Sequence, residues 1–135
     1  MLLHMDPVLR NILSVIAVIT VCLLLNGLLL SVMMAILGSP PGFDPNDPTT
    51  YGLLHAKHFL SPFIAHALPS LIGGWLAALI AATRKMTFAL MVGGLHLLGG
   101  IAAAFMIPAP AWFVALDLIV AYLPMAWFGG RLARV

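Results

Sequence analysis

The sequence has few charged residues and a single cysteine. Only 10 of its 135 residues are Lys, Arg or Asp, and Glu is absent. A soluble domain carries about 25% charged residues, whereas this chain has 7% charged and 63% hydrophobic residues. That composition excludes a soluble enzyme and a disordered tail. A net charge of +2 without a basic cluster excludes a nucleic-acid binder. Cys22 alone can form neither an internal disulfide nor a cysteine-based zinc site.

Four apolar stretches are each long enough to cross a bilayer, which takes about 20 helical residues. They cover residues 11–37, 61–83, 86–107 and 111–128. The first three contain no Lys, Arg, Asp or Glu, and the fourth contains Asp117. The turns between the last three stretches are so short that neighbouring helices must be antiparallel. The sequence therefore predicts a single transmembrane domain over residues 1–135, an all-α, up-down-up-down four-helix bundle within the lipid bilayer.

The basic residues predict the orientation of this bundle. If both termini are cytoplasmic, five of the six basic residues lie on the inner side, as the positive-inside rule favours. These five are Arg10, Arg84, Lys85, Arg131 and Arg134. The sixth, Lys57, lies in a predicted outer loop over residues 38–60. Within this loop we expect Asp47 and Pro48 to start a short surface helix over residues 49–60.

Small residues at four-residue spacing predict where the helices meet, because close backbone approach helps hold membrane helices together. The candidate packing residues are Gly27, Ser31, Ser70, Gly74, Gly93 and Gly100. Small residues are common in membrane helices in any case. Their regular spacing on three of the four predicted helices nevertheless favours a packing role.

Polar residues within the spans fall on the same helix faces as these small residues. They are Asn26, His66, His96 and Asp117. A helix repeats its face every three to four residues, so each of these side chains should point into the bundle. Counting from the span ends places all four in one layer, in the outer half of the bilayer. An acid at this depth costs about 3 kcal/mol unless it is paired, and His66 and His96 are the natural partners of Asp117.

Three roles compete for this polar cluster. In the first, the groups satisfy one another's hydrogen bonds and fix the packing of the helices. In the second, a titratable His/Asp pair serves a proton- or ion-coupled transporter or channel-like component, and Pro69 and Pro124 loosen its helices. Four helices are few for such a carrier, so it would need to be a homodimer. In the third, the histidines and Asp117 hold haem or a divalent metal.

The outer loop contributes a further candidate ligand pair, His55 and His58. Their i,i+3 spacing places both rings on one face of a helix, although a solvated interfacial helix is the simpler interpretation. The chain has no HExxH motif, no GxSxG motif and no phosphate-binding glycine loop with its lysine. We therefore expect no catalytic residues, and no cofactor unless the histidines bind haem or a metal.

Three segments resemble a known group of proteins. Residues 57–68, 112–118 and 121–126 read KHFLSPFIAHAL, WFVALDL and AYLPMA. Together they are similar to a group of small four-span bacterial membrane proteins, in which Gly-Thr replaces Pro69-Ser70. The resemblance covers most of the chain and implies a bacterial inner-membrane location, but it implies no activity. A different kind of role, as a non-catalytic accessory or assembly subunit of a larger membrane complex, is therefore a further hypothesis.

Overall fold

A computed structural model of the protein describes residues 4–133, and all regular structure in that range is helical. Five α-helices follow one another along the chain. They are α1 (Pro7–Leu37), α2 (Leu60–Ile80), α3 (Lys85–Met106), α4 (Ala111–Val120) and α5 (Leu123–Leu132). Counting α4 and α5 as one segment, and extending α2 back to Ala56, four helical segments are long and apolar enough to cross a membrane. The protein thus has the character of a multi-pass membrane protein.

The first helix begins four residues earlier than predicted, because Asp6 caps it. The Asp6 carboxylate accepts hydrogen bonds from the backbone N–H groups of Val8 and Leu9, at 2.9 and 3.2 Å. Pro7 occupies the first helical position, where its missing N–H costs nothing. The predicted ends of the second and third spans differ from α2 and α3 by one to three residues.

The outer loop does not contain the predicted surface helix over residues 49–60. It forms two short 3-10 turns instead, Pro48–Leu53 and Ala56–Phe59. Asp47 does start the first turn, since its carboxylate accepts from the backbone N–H of Thr49 at 2.9 Å. The second turn begins directly after His55, whose backbone N–H donates to the side chain of His58 at 2.9 Å. That side-chain bond replaces the carbonyl contact that a continuing helix would need.

The fourth predicted span, residues 111–128, falls within one apolar segment, Ala111–Leu132, that is interrupted between two helices. The first half, α4, ends at Val120, and α5 begins at Leu123. Pro124 lies four residues after Val120. A proline has no N–H to donate to that carbonyl, and its ring collides with it in a regular helix. Pro69, by contrast, lies inside α2, which continues through it to Ile80.

The helix α2 packs against α1, α3 and α5. Gly73 marks the point where α1, α2 and α3 converge. A Cβ atom on Gly73 would lie 2.5 Å from Cys22 Sγ and 2.9 Å from Val92 Cγ1. The thiol of Cys22 also donates to the carbonyl oxygen of Pro69 at 3.3 Å. Glycine at this position therefore lets three helices approach more closely than any side chain would allow.

Several of the predicted packing residues lie at helix interfaces. Gly74 faces the backbone of Ala126, and a Cβ on Gly93 would lie 2.6 Å from Ala126 Cβ. Gly100 faces the ring of Tyr122. Ser70 is fully buried. The α2–α5 interface is closer still at Gly129, a residue absent from the predicted set, which lies against the backbone of Leu71 and Trp75.

The structure departs from the packing prediction at Gly27 and Ser31. Both are exposed, and no atom lies within 4 Å of a Cβ built on Gly27. The hydroxyl of Ser31 donates to the carbonyl of Gly27 within the same helix, at 2.9 Å. The buried face of α1 carries a different set of residues, Asn11, Ser14, Val18 and Cys22. Gly27 follows Cys22 by five residues, which turns it about 140° away from that face.

Basic residues gather at one end of the molecule. Arg10 Nε donates to the carbonyl oxygen of Ile80, at the end of α2, at 2.6 Å. Gly130, beside Arg131, packs against the side chain of Met86 at the start of α3. The predicted basic residue Arg134 lies outside the described residues.

Candidate functional site

A histidine and an aspartate from different helices form the centre of the site. His66 is carried by α2 and Asp117 by α4. His66 Nδ1 lies 3.0 Å from Asp117 Oδ1 and 2.9 Å from Oδ2. The side chain of Asp117 is 7% exposed and that of His66 is 21% exposed. The carboxylate is thus buried and paired, while part of the imidazole remains accessible.

Tyr122 completes this centre, and sequence analysis did not identify it. Its hydroxyl donates to Asp117 Oδ2 at 2.9 Å. Its ring stacks on the ring of His66, with centroids 5.5 Å apart and planes 26° apart. Tyr122 lies in the break between α4 and α5, so the backbone irregularity at Pro124 gives the side chain its position. The sequence feature that could have identified Tyr122 is its position two residues before a proline and five residues after the buried acid.

His96 joins the centre through Ser70 rather than through Asp117. The Ser70 hydroxyl donates to the backbone carbonyl of His66 at 2.7 Å, and its oxygen lies 3.0 Å from His96 Nδ1. A hydroxyl has one proton, so its lone pair accepts from the Nδ1–H of His96. Ser70, predicted only as a packing residue, is therefore part of the hydrogen-bonded cluster.

Asn26 does not join this cluster. It is half-buried on α1, and its side chain makes no hydrogen bond within the described part of the chain. The reason is topological, because α1 packs mainly on α2 whereas Asp117 is carried by α4. The polar layer predicted from depth alone therefore contains His66, His96 and Asp117, with Tyr122 and Ser70 in place of Asn26.

The loop histidines form a contacting pair. The ring centroids of His55 and His58 are 5.7 Å apart, as their spacing predicts. His58 is only 4% exposed, so a solvated interfacial helix is the wrong description of it. Its Nδ1 accepts from the backbone N–H of His55, which fixes its ring. Among residues 4–133, no group of three or more His, Cys, Asp or Glu side chains is placed to hold a metal ion.

A cavity of about 230 Å³ connects the outer loop with the His66–Asp117 pair. Its walls come from the loop and from the adjoining ends of the long helices, and most of their surface is apolar. Aromatic side chains contribute a large part of the wall: Phe43, Tyr51, Phe59 and Phe113. His66, Gly100 and Asp117, which lie within the helices, belong to the same wall. The paired carboxylate and residues of the outer loop therefore line one cavity.

The second ring nitrogen of His66, Nε2, has no hydrogen-bond partner among the described residues. Hydrogen bonds involve its Nδ1 but not its Nε2. Every fully buried side-chain nitrogen and oxygen among the described residues has a hydrogen-bond partner. An unpartnered Nε2 must therefore be accessible, and His66 belongs to the cavity wall.

Comparison of the chain with protein-family models, with curated proteins and with solved structures finds no match in any of the three. The chemistry of the site is therefore the basis on which a function can be inferred.

Proposed function

We propose that this is a small inner-membrane protein in which the His66–Asp117 pair takes up and releases a proton. The pair would serve a dimeric proton- or ion-coupled transporter or channel-like component. One observation carries the proposal. His66 Nδ1 lies within 3.0 Å of both oxygens of Asp117, and both residues line a cavity whose wall also includes residues of the outer loop.

The physical basis is the charge of the pair in its two protonation states. With a protonated imidazole, the pair is neutral overall. With a neutral imidazole, it leaves one negative charge within a bilayer, which costs about 3 kcal/mol unless it is compensated. The Tyr122 hydroxyl, which donates to Asp117 Oδ2, supplies part of that compensation. A solute that changes the polarity of the cavity would therefore change the affinity of the pair for a proton. Solute binding and proton uptake would then be coupled.

Proton coupling can be tested in liposomes that contain a pH-sensitive dye. Candidate solutes are added outside the reconstituted protein under an imposed pH gradient. We expect a solute-dependent change in internal pH with the native protein and none with Asp117→Asn. Asp44→Asn, which alters a carboxylate of the outer loop, is the matched control and should preserve the flux. A flux that Asp117→Asn leaves unchanged contradicts coupling through this pair.

We further propose an antiparallel arrangement with both termini in the cytoplasm of a bacterial cell. The arrangement is supported by contacts at the two ends of α1. Arg10 near its start contacts Ile80, and Leu30 near its end accepts from the hydroxyl of Ser61 at 3.4 Å. The orientation is supported by the basic residues gathered near one end. Reporter fusions at Val135 and Asn46 should report opposite sides of the membrane, and same-side signals would contradict this topology.

The exposed side of α1 favours a further packing partner. Leu23 and Leu24 are 64% and 72% exposed, and Gly27, about one turn further along the same side of the helix, has no neighbour within 4 Å of a built Cβ. We propose a homodimer through this side, with light scattering of the purified protein expected to give twice the monomer mass. Gly27→Leu should then yield a monomer, whereas Gly99→Leu, also at an open position, should not.

An accessory role is the alternative that the same exposed side of α1 permits. In that case an unrelated membrane protein, rather than a second copy, covers α1. The native protein would then be monomeric alone and would be recovered from membranes in a complex of constant composition. Isolation with such a partner, together with unchanged proton flux in Asp117→Asn, would favour the accessory role over the transporter.

A further inference from the structure

The cavity combines a mainly apolar wall with an accessible hydrogen-bond acceptor. Its wall is mainly apolar and includes His66, whose Nε2 atom is accessible and has no hydrogen-bond partner. We propose that the cavity binds an uncharged hydroxylated aromatic molecule of the phenol class, and that His66 Nε2 accepts a hydrogen bond from the hydroxyl. This inference rests on the proposed function, since it names the class of solute that the same site would take.

The Asp117 contact decides which nitrogen of His66 accepts. An ionised carboxylate only accepts hydrogen bonds, so His66 Nδ1, within 3.0 Å of both its oxygens, must carry the proton. In a neutral imidazole the other nitrogen then presents a lone pair. The site therefore selects a ligand that donates a hydrogen bond, and a ligand with only a carbonyl or ether oxygen would leave Nε2 unpaired.

The neighbouring hydroxyl groups already have hydrogen-bond partners. Tyr122 donates to Asp117 Oδ2, and the hydroxyl of Tyr51 donates to the carbonyl of Pro45 at 3.0 Å. The Nδ1 atom of His58 accepts from the backbone N–H of His55, so the Nε2 atom of its neutral ring carries the proton and can only donate a hydrogen bond. These partners leave His66 Nε2 as an acceptor in the cavity wall. With His66 neutral, the pair carries one negative charge, which the hydroxyl of Tyr122 compensates in part, and this charge disfavours an anionic ligand.

Size and lining favour an aromatic ring over a linear chain. The cavity of about 230 Å³ is larger than the apolar cavities of about 150 Å³ that hold benzene in other proteins. A ring with a hydroxyl and another small substituent therefore fits. Phe59 and Phe113 contribute to the wall and lie 4.9 Å apart between ring centroids. Aromatic side chains of this kind pack favourably on a ligand ring in offset or edge-on geometry.

The test compares two probes of nearly equal shape, 4-fluorophenol and fluorobenzene. Binding to the full-length protein in lipid nanodiscs is followed by fluorine NMR, with empty nanodiscs correcting for partition into lipid. We expect saturable binding of 4-fluorophenol and at least about tenfold weaker binding of fluorobenzene, the effect of losing one well-placed hydrogen bond. Equal affinity for the two probes would overturn the proposal.

Two variants separate the hydrogen bond from the cavity itself. His66→Phe should reduce 4-fluorophenol binding to the level of fluorobenzene. Ala104→Phe, which places a ring in the cavity wall, should abolish saturable binding of both probes. If His66→Phe does not fold, the proposal is tested by the comparison of the two probes in the native protein and by the effect of Ala104→Phe. If Ala104→Phe binds 4-fluorophenol as tightly as the native protein does, the phenol does not bind in this cavity and the proposal is wrong. A lipid chain is then the alternative occupant of the cavity.

The liposome assay distinguishes this inference from the proposed function. Proton flux that depends on Asp117, with a solute other than a phenol, would support the proposed function and overturn the ligand class. Phenol binding that depends on His66, with proton flux unaffected by Asp117→Asn, would support the ligand site and overturn the coupling.

Discussion

The ring of Tyr122 lies in the space that a side chain on Gly100 would fill. A Cβ atom on Gly100 would come within 2.5 Å of Tyr122 Cζ and 2.8 Å of Cε2. From this position the tyrosine hydroxyl reaches Asp117, and the ring stacks on His66. The glycine on α3 thus determines where the tyrosine of the α4–α5 break can lie, and through it the surroundings of the buried carboxylate.

We expect Gly100→Ala to displace Tyr122 and to lower the free energy of unfolding by about 1–3 kcal/mol, the usual cost of overpacking a close contact. Unfolding in bicelles measures that change. Gly99→Ala is the matched control on the same helix, because no atom lies within 4 Å of a Cβ built there. Equal losses in the two variants would show that the Tyr122 contact does not set the cost.

Tyr122→Phe should remove the hydrogen bond to Asp117 and keep the stacking on His66. Hydrogen bonds between side chains in membranes average about 0.6 kcal/mol, with about 1.7 kcal/mol at the upper end. We expect a loss in the upper half of that range, because the acceptor is a carboxylate. Tyr51→Phe, which removes a hydroxyl from the exposed loop, is the control. A smaller loss for Tyr122→Phe than for Tyr51→Phe would contradict the hydrogen bond as described.

The side chain of Asn11, near the start of α1, forms hydrogen bonds with residues that follow the end of α2. Its Oδ1 accepts from the backbone N–H of Ala82 at 2.8 Å, and its Nδ2 donates to Thr83 Oγ1 at 3.1 Å. We expect Asn11→Ala to lower the free energy of unfolding by about 1–2 kcal/mol, the sum of two modest hydrogen bonds. Asn26→Ala on the same helix should cost less, since Asn26 makes no such bond. The opposite order would contradict the assignment.

Thr49 should control the acidity of Asp47 in the outer loop. Hydrogen bonds from the Thr49 side chain and backbone hold the pKa of Asp47 below its ordinary value. Thr49→Val removes the side-chain bond and should raise that pKa, measured by NMR titration of the carboxyl. Because the folded-state pKa is lowered, the stabilisation is present above the unfolded-state pKa and is lost as the pH falls through the folded-state pKa. An unchanged pKa in Thr49→Val would contradict this account.

The sequence predicted the helical segments and part of the site, because hydropathy and residue type are local properties. A run such as residues 86–107 needs no neighbour to be recognised as long and apolar. His66 and Asp117 could be named as a pair because a lone acid in an apolar run requires a partner. Asn26 was wrongly included, because depth along a helix does not say which helix lies opposite.

Other features required the three-dimensional arrangement. Gly27 and Ser31 have the same four-residue spacing as Ser70 and Gly74, yet only the second pair is buried within the chain. Which face of a helix is covered depends on the neighbouring helices, and spacing within one helix cannot supply that. The role of Tyr122 depends on the break at Pro124 and on the open space at Gly100, a residue that lies 22 positions earlier along the chain.

By itself, the sequence determined that the chain is helical, apolar enough to cross a membrane, and nearly free of charge between its helix ends, with Asp117 as the exception. These properties follow from the cost of burying polar groups in hydrocarbon, which acts on each segment separately. Only the tertiary structure decided that Asp117 meets His66 and Tyr122 rather than Asn26, and that a cavity leads to them. That outcome depends on glycines where backbones touch and on a proline that ends a helix, since close packing is a property of pairs of helices.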